Sequence, residues 1–218
     1  MLRWIDRFLN SSIGRKALMA VTGLLLVGFV ISHLSGNLLL FQGPEAFDGY
    51  VEFLTGIAVL PLLEIGLAGL FVLHILLAIK LTGENRAARP VDYEVKADHG
   101  RKTIPSATMI VSGVVILIFL IKHIWDFRWR KSEFSEAPYE MVARAFQDPL
   151  TVVIYVLGAT ALGLHLFHAI SSAFQTLGVN HPKYTPLITG VGRALAIGLA
   201  LGFAVIPIFF LLNGGAHQ

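Results

Sequence analysis

Eight histidines are spread along the chain, and four of them stand where an ionisable side chain is expensive. His33 lies in VGFVISHLSGNLLLF, His74 in GLFVLHILLAI, His123 in VVILIFLIKHIW and His165 in IYVLGATALGLHLFH. Each is embedded in a run that is apolar on every side. A titratable group in hydrocarbon is a functional residue by default, with a partner to be found. Imidazole is cheaper to bury neutral than any charge, and its ring nitrogen is an axial ligand for haem iron. Four buried imidazoles on four apolar segments therefore point to one chemistry, axial ligation of two haems. Proton relays and polar glue between helices are the alternatives. Two imidazoles on one iron fill both axial positions, which suits electron transfer and not oxygen binding.

Composition narrows the setting in which that chemistry would run. The 218 residues are 55% hydrophobic and 14% charged, whereas a soluble domain carries about 25% charged residues. A membrane protein is indicated. The chain has no cysteine, which excludes disulfides, thiolate-held iron–sulfur clusters, zinc–sulfur sites and thioether-linked haem. The net charge of +3 is read as a basic membrane edge and not as nucleic-acid binding, because the cations cluster beside apolar runs. No cleavable signal peptide is evident: the first apolar run is too long for one, and further spans follow.

Five segments must position the histidines. They are roughly Ala17–Phe41, Ile57–Ile79, Ile104–Trp125, Leu150–Phe174 and Ala194–Leu212. Each is long enough to cross about 30 Å of hydrocarbon at ~1.5 Å per residue, and continuous apolarity at that length means helix. The fifth could begin near Leu187 if Arg193 snorkels. The expected fold is an all-α membrane protein, a five-transmembrane-helix up-and-down bundle in one domain, residues 1–218. Residues 1–16 read as an amphipathic helix at the surface, with Trp4, Ile5, Phe8 and Leu9 against Arg3, Asp6 and Arg7. Gly43-Pro44 closes span one, and Asp148-Pro149 opens span four as a helix N-terminus with proline at its first position. The acidic connection Glu45–Glu52 could form a short interfacial helix. No internal repeat is clear.

Loop charge sets the orientation. Four cations precede span one (Arg3, Arg7, Arg15, Lys16). Six lie between spans two and three (Lys80, Arg86, Arg89, Lys96, Arg101, Lys102), and Lys183 and Arg193 precede span five. Twelve of the 17 Lys and Arg thus fall on one side, which the positive-inside rule assigns to the cytoplasm, with the C-terminus outside. Depth then pairs the histidines. His33 is about 26 Å beyond Lys16 and His74 about 9 Å from Lys80, while His165 is about 26 Å past Asp148. His123 lies near the outer end of span three, just before Asp126. So His33 and His123 share the outer level and His74 and His165 the inner one, about 15 Å apart along the normal. Gly28, Gly36, Gly66, Gly69, Gly158 and Gly163 are candidates for admitting a flat macrocycle, with ordinary helix packing as the commoner use of such residues.

Other polar residues are read more plainly. His99, His181 and His217 fall in loops and tail. His168, near the face of His165, is an interface or haem-propionate contact, or a ligand in place of His165. Glu64, the one acid inside a span, is a proton-handling group or a helix-packing hydrogen bond. A proton donor for a redox partner at the outer level is expected in the acidic connection of Glu45, Asp48 and Glu52, with Glu52, nearest span two, preferred.

HLSGNLLLFQGPEAFDGY after span one, the buried His74, and HLFHAISSAFQTLGVNHPKY from span four onward resemble the cytochrome b558 family. These are the single-subunit, five-helix, two-haem membrane anchors of succinate:quinone and fumarate reductases. The resemblance covers essentially the whole chain, and it departs at Ala169, where glycine is frequent. It implies two haem b groups on His33, His74, His123 and His165, a flavoprotein and an iron–sulfur subunit docked on the cytoplasmic face, and a multi-pass location in a bacterial inner membrane. Electrons from succinate would then pass by the inner and outer haems to a quinone, most often menaquinone. Residues 1–16 and the GENRAARPVDYEVKADHGRK loop are the expected docking surface. The four-histidine layout alone also fits the dihaem cytochrome b of a formate dehydrogenase or hydrogenase; a haem-free transporter would need more polar residues along its helices.

Overall fold

The computed structural model describes residues 7–8, 11–87, 109–129 and 137–213. Seven α-helices and no strand are found among them, and five of the helices are long and apolar enough to cross a membrane. The long helices are α1 (Ser12–Asn37), α3 (Leu60–Ala87), α4 (Met109–Ile124), α6 (Pro149–Thr176) and α7 (Thr185–Asn213). Two short ones, α2 (Pro44–Thr55) and α5 (Pro138–Ala145), lie at one end. An all-α, five-span membrane bundle is thus the fold, as expected from the apolar run lengths. Hydrocarbon offers the backbone no hydrogen-bond partner, so only continuous helices satisfy every amide across these spans.

The helix ends explain where the spans differ from their expected bounds. α1 starts at Ser12 and not near 17, because the Ser11 hydroxyl accepts from Gly14 N at 2.9 Å and caps the first turn. Residues 12–16 of the N-terminal amphipathic segment therefore belong to the helix of span one; residues 1–6 and 9–10 lie outside the described residues. α1 continues into a 3-10 turn, Leu38–Gln42. Gly43, at φ 102°, then reverses the chain into Pro44 of α2, a conformation that favours glycine. α3 begins at Leu60, three residues later than expected, and runs past Lys80 to Ala87. Gly83–Ala87 of the expected docking loop is thus helical, while 88–102 lies outside the described residues, as do His99, His217 and the first residues of span three. α4 ends in a π-helical turn, Trp125–Trp129. At α6, Asp148 caps the helix from Oδ1 and Oδ2 to the amides of Leu150 and Thr151, with Pro149 at the first position. Its C-terminus is closed by Gly178 at φ 87°, with Val179 N donating to Phe174 O (2.9 Å) and Gly178 N to Gln175 O (3.1 Å). α7 starts at Thr185, nearer to Leu187 than to Ala194, and Arg193 lies over the Phe167 ring at 5.0 Å.

Packing is led by α6, which lies against α7, α4 and α1, while α3 packs mainly on α1. Apolar side chains gain little by leaving lipid for each other, so close approach has to come from small residues. Gly163 and Ala200 do this between α6 and α7: a Cβ on Gly163 would stand 2.7 Å from that of Ala200. Gly158 lies under the Phe119 ring and Gly36 under Tyr50. Those three of the six candidate glycines serve close packing against other helices; Gly28, Gly66 and Gly69 meet open space. A second core closes the end bearing α2 and α5. Leu40, Phe47, Tyr139, Phe146, Tyr155 and Phe210 are all buried there, and Asp48 Oδ1 accepts from Tyr139 N at 2.7 Å, tying α2 to the start of α5.

Candidate functional site

α1 and α4 each carry a phenylalanine one turn before a histidine. Phe29 stacks on His33 (5.3 Å, 15°) and Phe119 on His123 (5.8 Å, 27°). Residues four apart share a helix face, so each ring limits the rotation of its imidazole. The two histidines meet edge to face, ring centres 5.7 Å apart. Phe203 of α7 flanks His33, and Tyr155 and Phe127 flank His123. The Nδ1 of His123 is buried without a hydrogen-bond partner among the described residues. That of His33 faces Asn37 Nδ2 at a long 3.5 Å, while the same amide donates to His33 O at 2.8 Å.

The other pair is built differently. His74 Nδ1 is 3.1 Å from Thr22 Oγ1 on α1, and His165 Nδ1 is 3.3 Å from Ser112 Oγ on α4. Each hydroxyl also donates to a carbonyl one turn back, Thr22 to Met19 O and Ser112 to Met109 O. Glycine follows both hydroxyl residues and lets the helix lie close to the ring. A Cβ on Gly23 would stand 3.3 Å from His74 Cε1, and one on Gly113 3.7 Å from His165 Cε1. His74 and His165 are within Coulombic reach of each other.

These contacts expose an internal correspondence that the sequence reading missed. Residues 19–33 and 109–123 match at Met, Val, a hydroxyl residue, Gly, Phe, Ile and His, and the hydroxyl precedes the histidine by eleven residues in both. Thr22 and Ser112 were absent from the expected site because mid-helix hydroxyls usually bond their own backbone, as these also do. The repeated register was the signal that could have found them.

Two polar residues near His123 were likewise not anticipated. Asp126 accepts from Tyr155 Oη at 2.9 Å and pairs with Lys122 Nζ at 2.7 Å, so the lysine inside span three is neutralised one turn along its own helix. Glu64 pairs with Arg128 at 3.1 Å, a partly exposed link between α3 and the end of α4. At the opposite ends, Arg15 of α1 holds Glu84 of α3 at 2.9 Å. His168 sits half-buried one turn beyond His165. His181 belongs to the turn before α7, its Nδ1 accepting from Lys183 N at 3.2 Å. Glu52 is exposed on α2, at a shallow hollow bordered by Gly49, Phe53, Gly56 and Ile57.

No family model and no solved structure matches the chain. Two curated proteins do. The succinate dehydrogenase hydrophobic membrane anchor subunit of Halobacterium salinarum is 30% identical over 96 residues, covering 44% of this chain and 68% of that protein. The succinate dehydrogenase cytochrome b558 subunit of Bacillus subtilis is 24% identical over 200 residues, covering 89% of this chain and 94% of that protein. The chain belongs to the cytochrome b membrane-anchor family of succinate dehydrogenases. It is a multi-pass membrane protein and an anchor subunit of that enzyme. Membership decides against the formate dehydrogenase and hydrogenase alternative, and against the transporter. In this anchor His33, His74, His123, His165 and His168 lie on the spans, and the ion pairs Arg15–Glu84 and Arg128–Glu64 tie span ends together.

Proposed function

We propose that this anchor is a dihaem cytochrome b that carries electrons between an iron–sulfur subunit and a membrane quinone. The observation that carries the reading is the histidine geometry: two cross-helix pairs, one on spans one and three (His33 and His123) and one on spans two and four (His74 and His165). His33 and His123 would hold the outer haem and His74 and His165 the inner one. The residues fit such a group. Metal–imidazole bonds of about 2 Å put two rings across one metal with centres about 6 Å apart; His33 and His123 stand at 5.7 Å. No three His, Cys, Asp or Glu gather at one point among the described residues. Pairs of imidazoles without a third donor would suit a metal that comes with further ligands of its own rather than a bare ion. When bound, each haem supplies a reversible one-electron centre whose potential the axial ligands and their hydrogen bonds set.

The chain's own residues do the rest. Phe29 and Phe119 hold the outer imidazoles by stacking and keep water from them. His168, half-buried beside His165, would contact the inner haem. The cation-rich ends of α1, α3 and α7 face the cytoplasm of a bacterium, where the flavoprotein and iron–sulfur subunits dock on residues 1–16 and the loop after α3. At the opposite end the Glu52 carboxyl, on a helix beside the end of α1 that bears His33, hands a proton to the quinone oxygen, with menaquinone the favoured substrate.

The test is the visible spectrum and haem content of the purified complex. Two haems b per chain, with bis-imidazole low-spin bands, are expected. A colourless complex that still oxidises succinate with a quinone refutes the proposal.

A further inference from the structure

The inner and outer histidine pairs differ in what lies behind the rings. Resting on the dihaem reading above, we infer that Thr22 and Ser112 are positioning residues that set the donor strength and tautomer of His74 and His165. A hydroxyl has one proton. With that proton on Met19 O (3.1 Å) and on Met109 O (3.0 Å), each oxygen can only accept at its second contact. The Nδ1 atoms at 3.1 and 3.3 Å must then be N–H donors, which leaves the lone pair on Nε2 of both rings. That is the tautomer able to ligate through Nε2. An acceptor behind the N–H also makes the imidazole a stronger base toward a metal.

Two features make this a device and not a coincidence of packing. It occurs twice, on different helix pairs, with the same hydroxyl–glycine step and the same eleven-residue offset to the next histidine. And the outer pair lacks it. His123 Nδ1 has no partner among the described residues, and the neighbour of His33 Nδ1 is an amide nitrogen, itself a donor. Gly23 is part of the arrangement, since a Cβ there would stand a tight 3.3 Å from His74 Cε1, whereas one on Gly113 would make an ordinary 3.7 Å contact with His165. In one pair both rings therefore have a hydroxyl acceptor behind Nδ1, and in the other pair neither ring has an acceptor there.

The experiment is a redox titration of the visible spectrum of the complex carrying Thr22→Val, Thr22→Ser, Ser112→Ala or Ser112→Thr, with haem content measured on each. Loss of an acceptor weakens ferric ligation, so Thr22→Val and Ser112→Ala should each raise the midpoint of one haem, and the same haem in both. About ten-fold in the ferric/ferrous preference is expected, or ~59 mV for one electron. Thr22→Ser and Ser112→Thr should restore the wild-type value, and the second haem should not move. Unchanged midpoints in Thr22→Val and Ser112→Ala, with both haems present, overturn the inference and leave the dihaem reading standing. So do shifts of different haems in the two variants. Loss of a haem in Thr22→Ser as well as in Thr22→Val also overturns it, because volume and not the hydroxyl would then matter. Wild-type complex without haem overturns the dihaem reading itself, and this inference with it.

Discussion

Gly163→Ala tests how the α6–α7 contact holds the inner histidine in place. The added Cβ would stand 2.7 Å from Ala200 Cβ, where carbon atoms rest at about 3.5–4.0 Å. The helices must part by about 1 Å, and overpacking of this kind costs about 1–3 kcal/mol. His165 lies two residues further on, and its 3.3 Å contact with Ser112 has little slack. A shift of about 1 Å there would take it beyond hydrogen-bond range. The second half of the cycle is Ala200→Gly. With that Cβ gone, the nearest atoms to a new Cβ at 163 are Ala196 O at 3.5 Å and Ala200 Cα at 4.0 Å, both ordinary contacts. Reversible unfolding in mixed micelles should show Gly163→Ala destabilised and the double variant restored to within about 0.5 kcal/mol of Ala200→Gly alone. Gly163→Ala as stable as the wild type, or no rescue by Ala200→Gly, would refute the packing argument.

His165→Ala should remove one haem while His168→Ala retains two, as read by pyridine haemochrome; a one-haem His168→Ala complex would make His168 the ligand. Glu52→Gln should keep both haems and normal assembly but slow quinone-linked turnover about ten-fold or more, with a soluble artificial acceptor unaffected. Equal rates with quinone would remove Glu52 from proton delivery. Asp148 is held below the ordinary carboxylate range by hydrogen bonds from the Thr151 hydroxyl and amide. Because its folded pKa is depressed, its contribution to stability is complete above the unfolded value of about 3.9 and is lost as pH falls through the folded value. Asp148→Asn should flatten that acid limb of the unfolding profile, and an unchanged limb would mean the cap does not titrate there.

Much was legible along the helix axis. The apolar runs determined five spans, because a bilayer accepts only helices of about 20 residues. The positions of His33, His74, His123 and His165 within them followed from counting at ~1.5 Å per residue, and the pairs His33–His123 and Thr22–His74 lie on spans that this counting had already ordered. Asp148-Pro149 and Gly43-Pro44 marked ends correctly because caps and proline are local chemistry. What lies around the axis was not legible. In water an apolar stripe shows which face turns inward, but in lipid every face is apolar and the stripe disappears. Only the tertiary structure decided that α6 is the central helix, that Gly158 and Gly163 face Phe119 and Ala200, and that Asp126 meets Tyr155 across two spans. It also set Thr22 against His74 and Ser112 against His165. A mid-helix hydroxyl looks the same in sequence whether it faces lipid or a histidine, and only the neighbouring helix, placed by close packing of small residues, tells the two apart.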